Sequence, residues 1–267
     1  MMSVWPPGRI GSAACDGRET APWHRNGTRV VYSNQQIKKA VERGHIVCYP
    51  FNPDNVQGSS LDLTLGEWYY TTDQIATGRI YNPFDQASVE RYFQGPFRAE
   101  PHHEWAQRTG RQLLAGIPED HSVIAIGPRQ RILAHTHEFV GIQPPGTTEM
   151  KARSSWGRNG IQVCACAGWG DPGYINRWTK EITNLNDEEV VLPTGERMAQ
   201  LIFHETGPVD GHYGAGGKYQ TALDLDQIVA AWQPQDMLPR SYRDRRRPLS
   251  PVCPADSGYQ ETESAAG

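Results

Sequence analysis

"SVIAIGPRQRILAHTHEFVGIQP", residues 122–144, decides the fold class of this chain. Short apolar runs alternate with turn signals such as Gly127-Pro128 and Pro144. The same rhythm continues through Ile161 to Cys166, Trp178 to Ile182, Val190 to Leu192 and Gln200 to Phe203. Many short strands at close spacing, with almost no helix, predict a mainly β antiparallel barrel or jelly roll. Upstream, "GSSLDLTLG" (58–66) sets Leu61, Leu63 and Leu65 against Asp62 and Thr64, the period of a half-buried strand. His45 to Pro50 also reads as a strand.

Around this β core the pattern changes. Ser33-Asn34-Gln35-Gln36 has the form of a capping box, and Ile37, Ala40 and Val41 then share one helical face. Gly44 closes that short N-terminal helix. Residues 71 to about 120 are polar, aromatic and rich in Pro and Gly, too long for an ordinary loop, which predicts an insertion or lid with some structure of its own. Residues 1–30 read as a disordered arm and 31–220 as the domain. In 221–267, "LDLDQIVAAW" (223–232) predicts one short helix, followed by a solvated, disordered tail that begins with the Arg-rich "RSYRDRRRP".

Composition narrows the function. The chain has 267 residues, 37% of them hydrophobic, with 27 Gly, 20 Pro and a formal net charge of −4. That balance argues against a nucleic-acid binder, which usually needs a basic domain. No apolar run is long enough to span a bilayer, and the first thirty residues lack the apolar core of a signal peptide, so no membrane partner and a cytoplasmic location are expected. Cys15, Cys48, Cys164, Cys166 and Cys253 are scattered and odd in number, as reduced thiols are.

Three stretches carry candidate chemistry. His102-His103-Glu104 matches half of a zinc deaminase signature, but the P-C-x-x-C half is missing. Cys164-Ala165-Cys166 has the wrong spacing, and its thiols are expected to be buried among apolar neighbours on a strand; no metal site is assigned. "KARSSWGRNG" (151–160) and "GHYGAGGKYQ" (211–220) are both glycine-rich and cationic, a plausible cradle for a polyphosphate. In "AGWGDPGYINRWTKEITN" (167–184), Glu181 stands in a strand-like run ten residues past Asp171. A carboxylate there either faces solvent, pairs with an arginine, or works.

Taken in order, "GSSLDLTLG", "KARSSWGRNGI", "AGWGDPGYINRWTKEITN", "LPTGERMAQLIF" and "GKYQ" resemble the successive motifs of dCTP deaminases, within the dUTPase superfamily. "SNQQIKKAVERGHIVCYP" and "RILAHTHEFVGI" resemble that family's opening helix and strand and its mid-chain strand pair. The resemblance implies a dUTPase-like β-barrel forming a homotrimer, with sites shared between subunits. It implies dCTP as substrate and zinc-independent hydrolysis to dUTP and ammonia, with Mg²⁺ carried on the triphosphate. Glu181 would be the general acid/base, since a dUTPase without deaminase activity usually has an apolar residue there, with Ser154 and Arg158 assisting. Arg153, Ser154, Ser155 and Arg158 would hold the triphosphate, Asp171 the 3′-hydroxyl and Tyr174 the sugar, with Ala167 and Thr179 as further substrate contacts. Tyr213, Lys218 and Gln220 would belong to a flap over the phosphates, although the family's K-Y-Q-G-Q is here followed by Thr221-Ala222. The alternatives are a bifunctional enzyme giving dUMP and pyrophosphate, a changed substrate such as a modified cytosine nucleotide, or a catalytically silent nucleotide-binding module.

Overall fold

The computed structural model describes residues 31–72, 80–220 and 222–244. The arm over 1–30 and the tail beyond Asp244 lie outside the described residues, as do Cys15 and Cys253. Helix α1 (Asn34–Glu42) begins as its sequence predicts: Ser33 Oγ accepts from Gln36 N, and Gln36 Oε1 accepts from Ser33 N at 2.9 Å. Ile37 and Ala40 are its buried residues, and Gly44, at φ +71°, turns the chain out of the helix.

The strands β1 (Ile46–Tyr49), β2 (Val56–Gln57), β3 (Ser60–Thr64) and β4 (Trp68–Thr72) follow. Helix α2 (Gln86–Tyr92), strands β5 (Phe93–Arg98) and β6 (Glu100–Pro101) and helix α3 (His102–Thr109) fill the predicted insertion. Next come β7 (Ser122–Ile126), β8 (Arg131–Ile142), β9 (Gly146–Ala152), α4 (Ser154–Arg158), β10 (Ile161–Gln162), β11 (Trp169–Gly170), β12 (Ile175–Asn184), β13 (Val190–Pro193), β14 (Arg197–Glu205) and α5 (Leu225–Ala231). The strands make three antiparallel sheets, ordered β10-β12-β8-β4-β5 with β1 also on β8, β11-β9-β14-β3-β2, and β13-β7-β6. Ile124, Ile132, Val140, Trp178, Ile182, Leu201 and Phe203 are among the buried residues of the main core.

The mainly β reading holds, but no barrel closes: among the described residues the three sheets are separate. The edge strands β10, β11 and β2 are only two residues long, too short a ladder to carry pairing round to another sheet. Helix is more plentiful than the strand rhythm suggested. Asp85 caps α2 by accepting from Ala87 N and Ser88 N, and α3 buries Trp105 completely. Strand β3 is buried at every position rather than on one face, because Arg153 and Arg197 both ion-pair with Asp62 and make its burial tolerable.

Two further expectations are corrected. The Cys164-Ala165-Cys166 segment is a loop, not a strand; Cys166 is exposed at φ 65° and Cys164 half-buried. The expected tail does not begin at Arg240, which is tied to Tyr219 and Asp236 with its side chain only 16% exposed; just before it, Met237 is buried with Tyr70 and Leu133. Among the described residues no helix is long and apolar enough to cross a membrane.

Candidate active site

Strand β12 builds the floor of the site. Its burial alternates, so Trp178, Lys180 and Ile182 point into the core while Arg177, Thr179 and Glu181 face outward. Pairing with β8 sets Glu181 opposite Leu133 and Thr179 opposite His135. Two covers lie over this outer face. Phe93 and Val89 of the insertion pack with Tyr70, Leu133 and Met237, and Ile228 of α5 packs with Val47, Phe139 and Ile175. Between the covers runs a cleft of about 510 Å³, lined by Ala167, Asp171, Tyr174, Thr179, Glu181 and Tyr213 among others.

Glu181 therefore does not face open solvent, and among the described residues it pairs with no arginine. It is half-buried at the cleft floor, where Oε2 accepts from Ala165 N at 3.3 Å. Behind it, the neighbouring Lys180 is fully buried, and its Nζ donates to Thr64 O at 3.3 Å. Burial lowers the Lys180 pKa to about 8, against the opposing pull of Glu138.

The D-P-G-Y turn sits at the cleft edge. Tyr174 N donates to Asp171 O at 2.9 Å, and Asp171 is exposed. Gly173, at φ +85°, brings the backbone so close to the His212 ring that a Cβ would stand 2.5 Å from it. The Tyr174 ring meets Trp178 and Tyr213 edge-on at 5.2 and 5.1 Å, and its burial raises the phenol's pKa and keeps it neutral. Gln220 lies behind this turn. Its Oε1 accepts from Ile175 N at 2.7 Å, and its Nε2 donates to Gly173 O and Ala222 O.

The structure brings together Ala167, Asp171, Tyr174, Thr179, Glu181 and Tyr213, and leaves the cationic stretch elsewhere. Ser154, Ser155 and Arg158 are exposed on α4, outside the cleft, and Trp156 anchors that helix by donating to Arg197 O at 2.8 Å. Arg153 is engaged by Asp62, and Lys218 by Asp244. His102 and His103 have backbone partners: His102 Nε2 accepts from Leu114 N at 3.0 Å, and His103 Nδ1 lies 2.8 Å from Glu119 O.

Several lining residues escaped the sequence reading. The Arg177 guanidinium sits in the corner between the edge-on rings of Phe139 and Trp232, 4.8 and 4.5 Å from their centres, and its Nε donates to His137 O. Trp232, Asp236, Met237 and Tyr219 also line the cleft. The apolar run ending at Trp232 was the available signal. It announced a helix but not the surface that the helix would cover.

A family model described as dCTP deaminase-like matches residues 31–206. The chain is 32% identical over 205 residues to a protein of Methanosphaera stadtmanae named "dCTP deaminase, dUMP-forming", covering 74% of this chain and 93% of that one. A protein of the same name from Methanopyrus kandleri is 32% identical over 196 residues, 71% of this chain and 90% of its own. A solved 2′-deoxycytidine 5′-triphosphate deaminase from Agrobacterium tumefaciens aligns with 16% identity and a TM-score of 0.47, over 67% of this chain and 49% of its own. The cleft's Trp232, Asp236 and Met237 fall beyond the family match, whereas Asp171, Tyr174 and Glu181 fall within it, and the chain belongs to the dCTP deaminase-like family.

Proposed function

We propose that this protein hydrolyses dCTP at C4 of the cytosine, releasing ammonia, and then cleaves the triphosphate to give dUMP and pyrophosphate. The observation that carries the deamination is Glu181, a half-buried carboxylate on a cleft floor beside Asp171 and Tyr174. In this reading Glu181 takes a proton from the attacking water and delivers it to the leaving amine, the two halves of general acid–base catalysis. The Ala165 N–H holds one carboxylate oxygen and leaves the other for that water. Asp171 accepts from the 3′-hydroxyl, and Tyr174 packs on the sugar.

The second step is favoured by the names of the relatives, among them those of Methanosphaera stadtmanae, Methanopyrus kandleri and Aquifex aeolicus, each "dUMP-forming". Release of dUTP is the other outcome. Mg²⁺ enters on the triphosphate, which presents the hard oxygens it prefers. The exposed α4, apart from its own chain's cleft, supports a homotrimer in which Ser154, Ser155 and Arg158 of one copy complete the site of the next. Incubation with dCTP and Mg²⁺, with ammonia, dUTP, dUMP and pyrophosphate resolved, tests both steps. Ammonia with dUMP supports the full reading, and ammonia with dUTP leaves only deamination. Nucleotide binding without ammonia refutes it in favour of a silent module.

A further inference from the structure

We propose that Arg240 is a positioning residue that holds the flap carrying Tyr213, Lys218 and Tyr219 against the cleft before any nucleotide arrives. This rests on the reading that the flap closes over a nucleotide, and it concerns a segment beyond the end of the family match at residue 206.

The chain leaves the flap at Gln220, forms α5 and returns as the turn Pro234–Met237. That turn is fastened to the sheet, because Met237 is buried against Tyr70 and Leu133. Within it, Asp236 divides its carboxylate: Oδ2 accepts from Gln233 N at 2.9 Å and Oδ1 from Arg240 Nη2 at 2.5 Å. The guanidinium so oriented reaches back to the flap. Its Nη1 donates to Lys218 O at 2.6 Å, its Cζ lies 5.5 Å from the Tyr219 ring centre, and the Arg240 backbone N donates to Tyr219 Oη at 3.1 Å. The Arg240 side chain is only 16% exposed, so these charge-assisted contacts are shielded from water.

The other end of the flap is also tied: Tyr213 N donates to Pro172 O at 3.1 Å, and His212 Nε2 lies 3.0 Å from Gln143 Oε1. Fastened at both ends, the backbone around Tyr219 is placed at the cleft wall without help from a ligand. A nucleotide then meets a surface already ordered, and the entropy of ordering it is not charged against binding. The Lys218 ammonium meanwhile pairs with Asp244, whose side chain is 53% exposed, so an incoming phosphate exchanges for a weakly held partner.

The test uses the full chain with Arg240→Ala and Arg240→Lys, and reads steady-state dCTP kinetics, melting temperature, and chymotryptic cleavage after Tyr213 or Tyr219 without nucleotide. Losing a charged hydrogen-bond donor should raise KM for dCTP roughly ten- to a hundredfold with kcat within about twofold, and should speed flap cleavage by a similar factor. Arg240→Lys, which keeps the charge but not the fork, should fall between the two. Unchanged cleavage in Arg240→Ala overturns the clamp whatever the turnover. A fall in kcat with a large loss of melting temperature also overturns it, in favour of a merely structural arginine. Wild-type protein that releases no ammonia from dCTP refutes the functional reading instead, and the cleavage measurement still decides on the clamp.

Discussion

Glu181 and Lys180 are adjacent in sequence and stand on opposite faces of β12, the carboxylate at the cleft and the ammonium fully buried in the core. The two-residue period of a strand separates them, so each charge has its own surroundings. Lys180 finds Thr64 O, while Glu181 accepts from Ala165 N and faces the cleft.

Glu181→Gln should abolish deamination while dCTP binding persists. The amide keeps the shape but cannot carry the proton, and a placed general base contributes about a hundred- to ten-thousandfold. Turnover near the wild-type rate would remove Glu181 from the chemistry.

Mixing two inactive proteins tests whether sites are shared. Arg158→Ala and Glu181→Gln each remove one half of a proposed composite site, on surfaces that do not meet within one chain. Dissociation and reassembly together should restore activity, because some sites then join an intact Arg158 to an intact Glu181. Absence of recovery, in mixed oligomers shown to form, would place the whole site in one copy.

The sugar contact should show in the ratio of dCTP to CTP turnover. Asp171→Ala should weaken both substrates, since a polar group left without its partner costs about 1–3 kcal/mol. Tyr174→Ala should narrow the ratio and also lower the melting temperature, because the ring packs on Trp178 and Tyr213. An unchanged ratio with lowered stability would make Tyr174 a core residue only.

His135 should make the fold acid-sensitive. Its ring is 1% exposed, Nδ1 lies 2.7 Å from Thr136 O, Nε2 accepts from Trp68 N, and burial lowers its pKa from 6.5 to about 3. Between pH 6.5 and 3 the unfolded imidazole binds a proton that the folded one refuses, so stability falls as pH falls through that window. The full drop is on the order of 4–5 kcal/mol. Melting curves of the wild type should decline more steeply from pH 6.5 to 4 than those of His135→Gln, whose amide can donate and accept at that site. Parallel curves would contradict the assignment.

Much of the site was legible because its signals are local. The strand-like run from Trp178 to Ile182, with Glu181 ten residues past Asp171, is local to one segment, and the Ser33–Gln36 box to the first turn of one helix. Other features depend on which distant segments meet. Asp62 reads as the polar side of a half-buried strand until Arg153 and Arg197 arrive from elsewhere in the chain. The run ending at Trp232 reads as a short helix and "RSYRD" as a tail, until both close over Arg177 and Tyr219. Sequence by itself determined that the chain is mainly β and that Glu181 stands in a strand-like run ten residues past Asp171. Tertiary structure alone decided that α4 stands apart from Glu181 and that Trp232, Asp236, Met237 and Pro239 wall the cleft, because periodicity records which face of an element is apolar and carries no information about what will cover it.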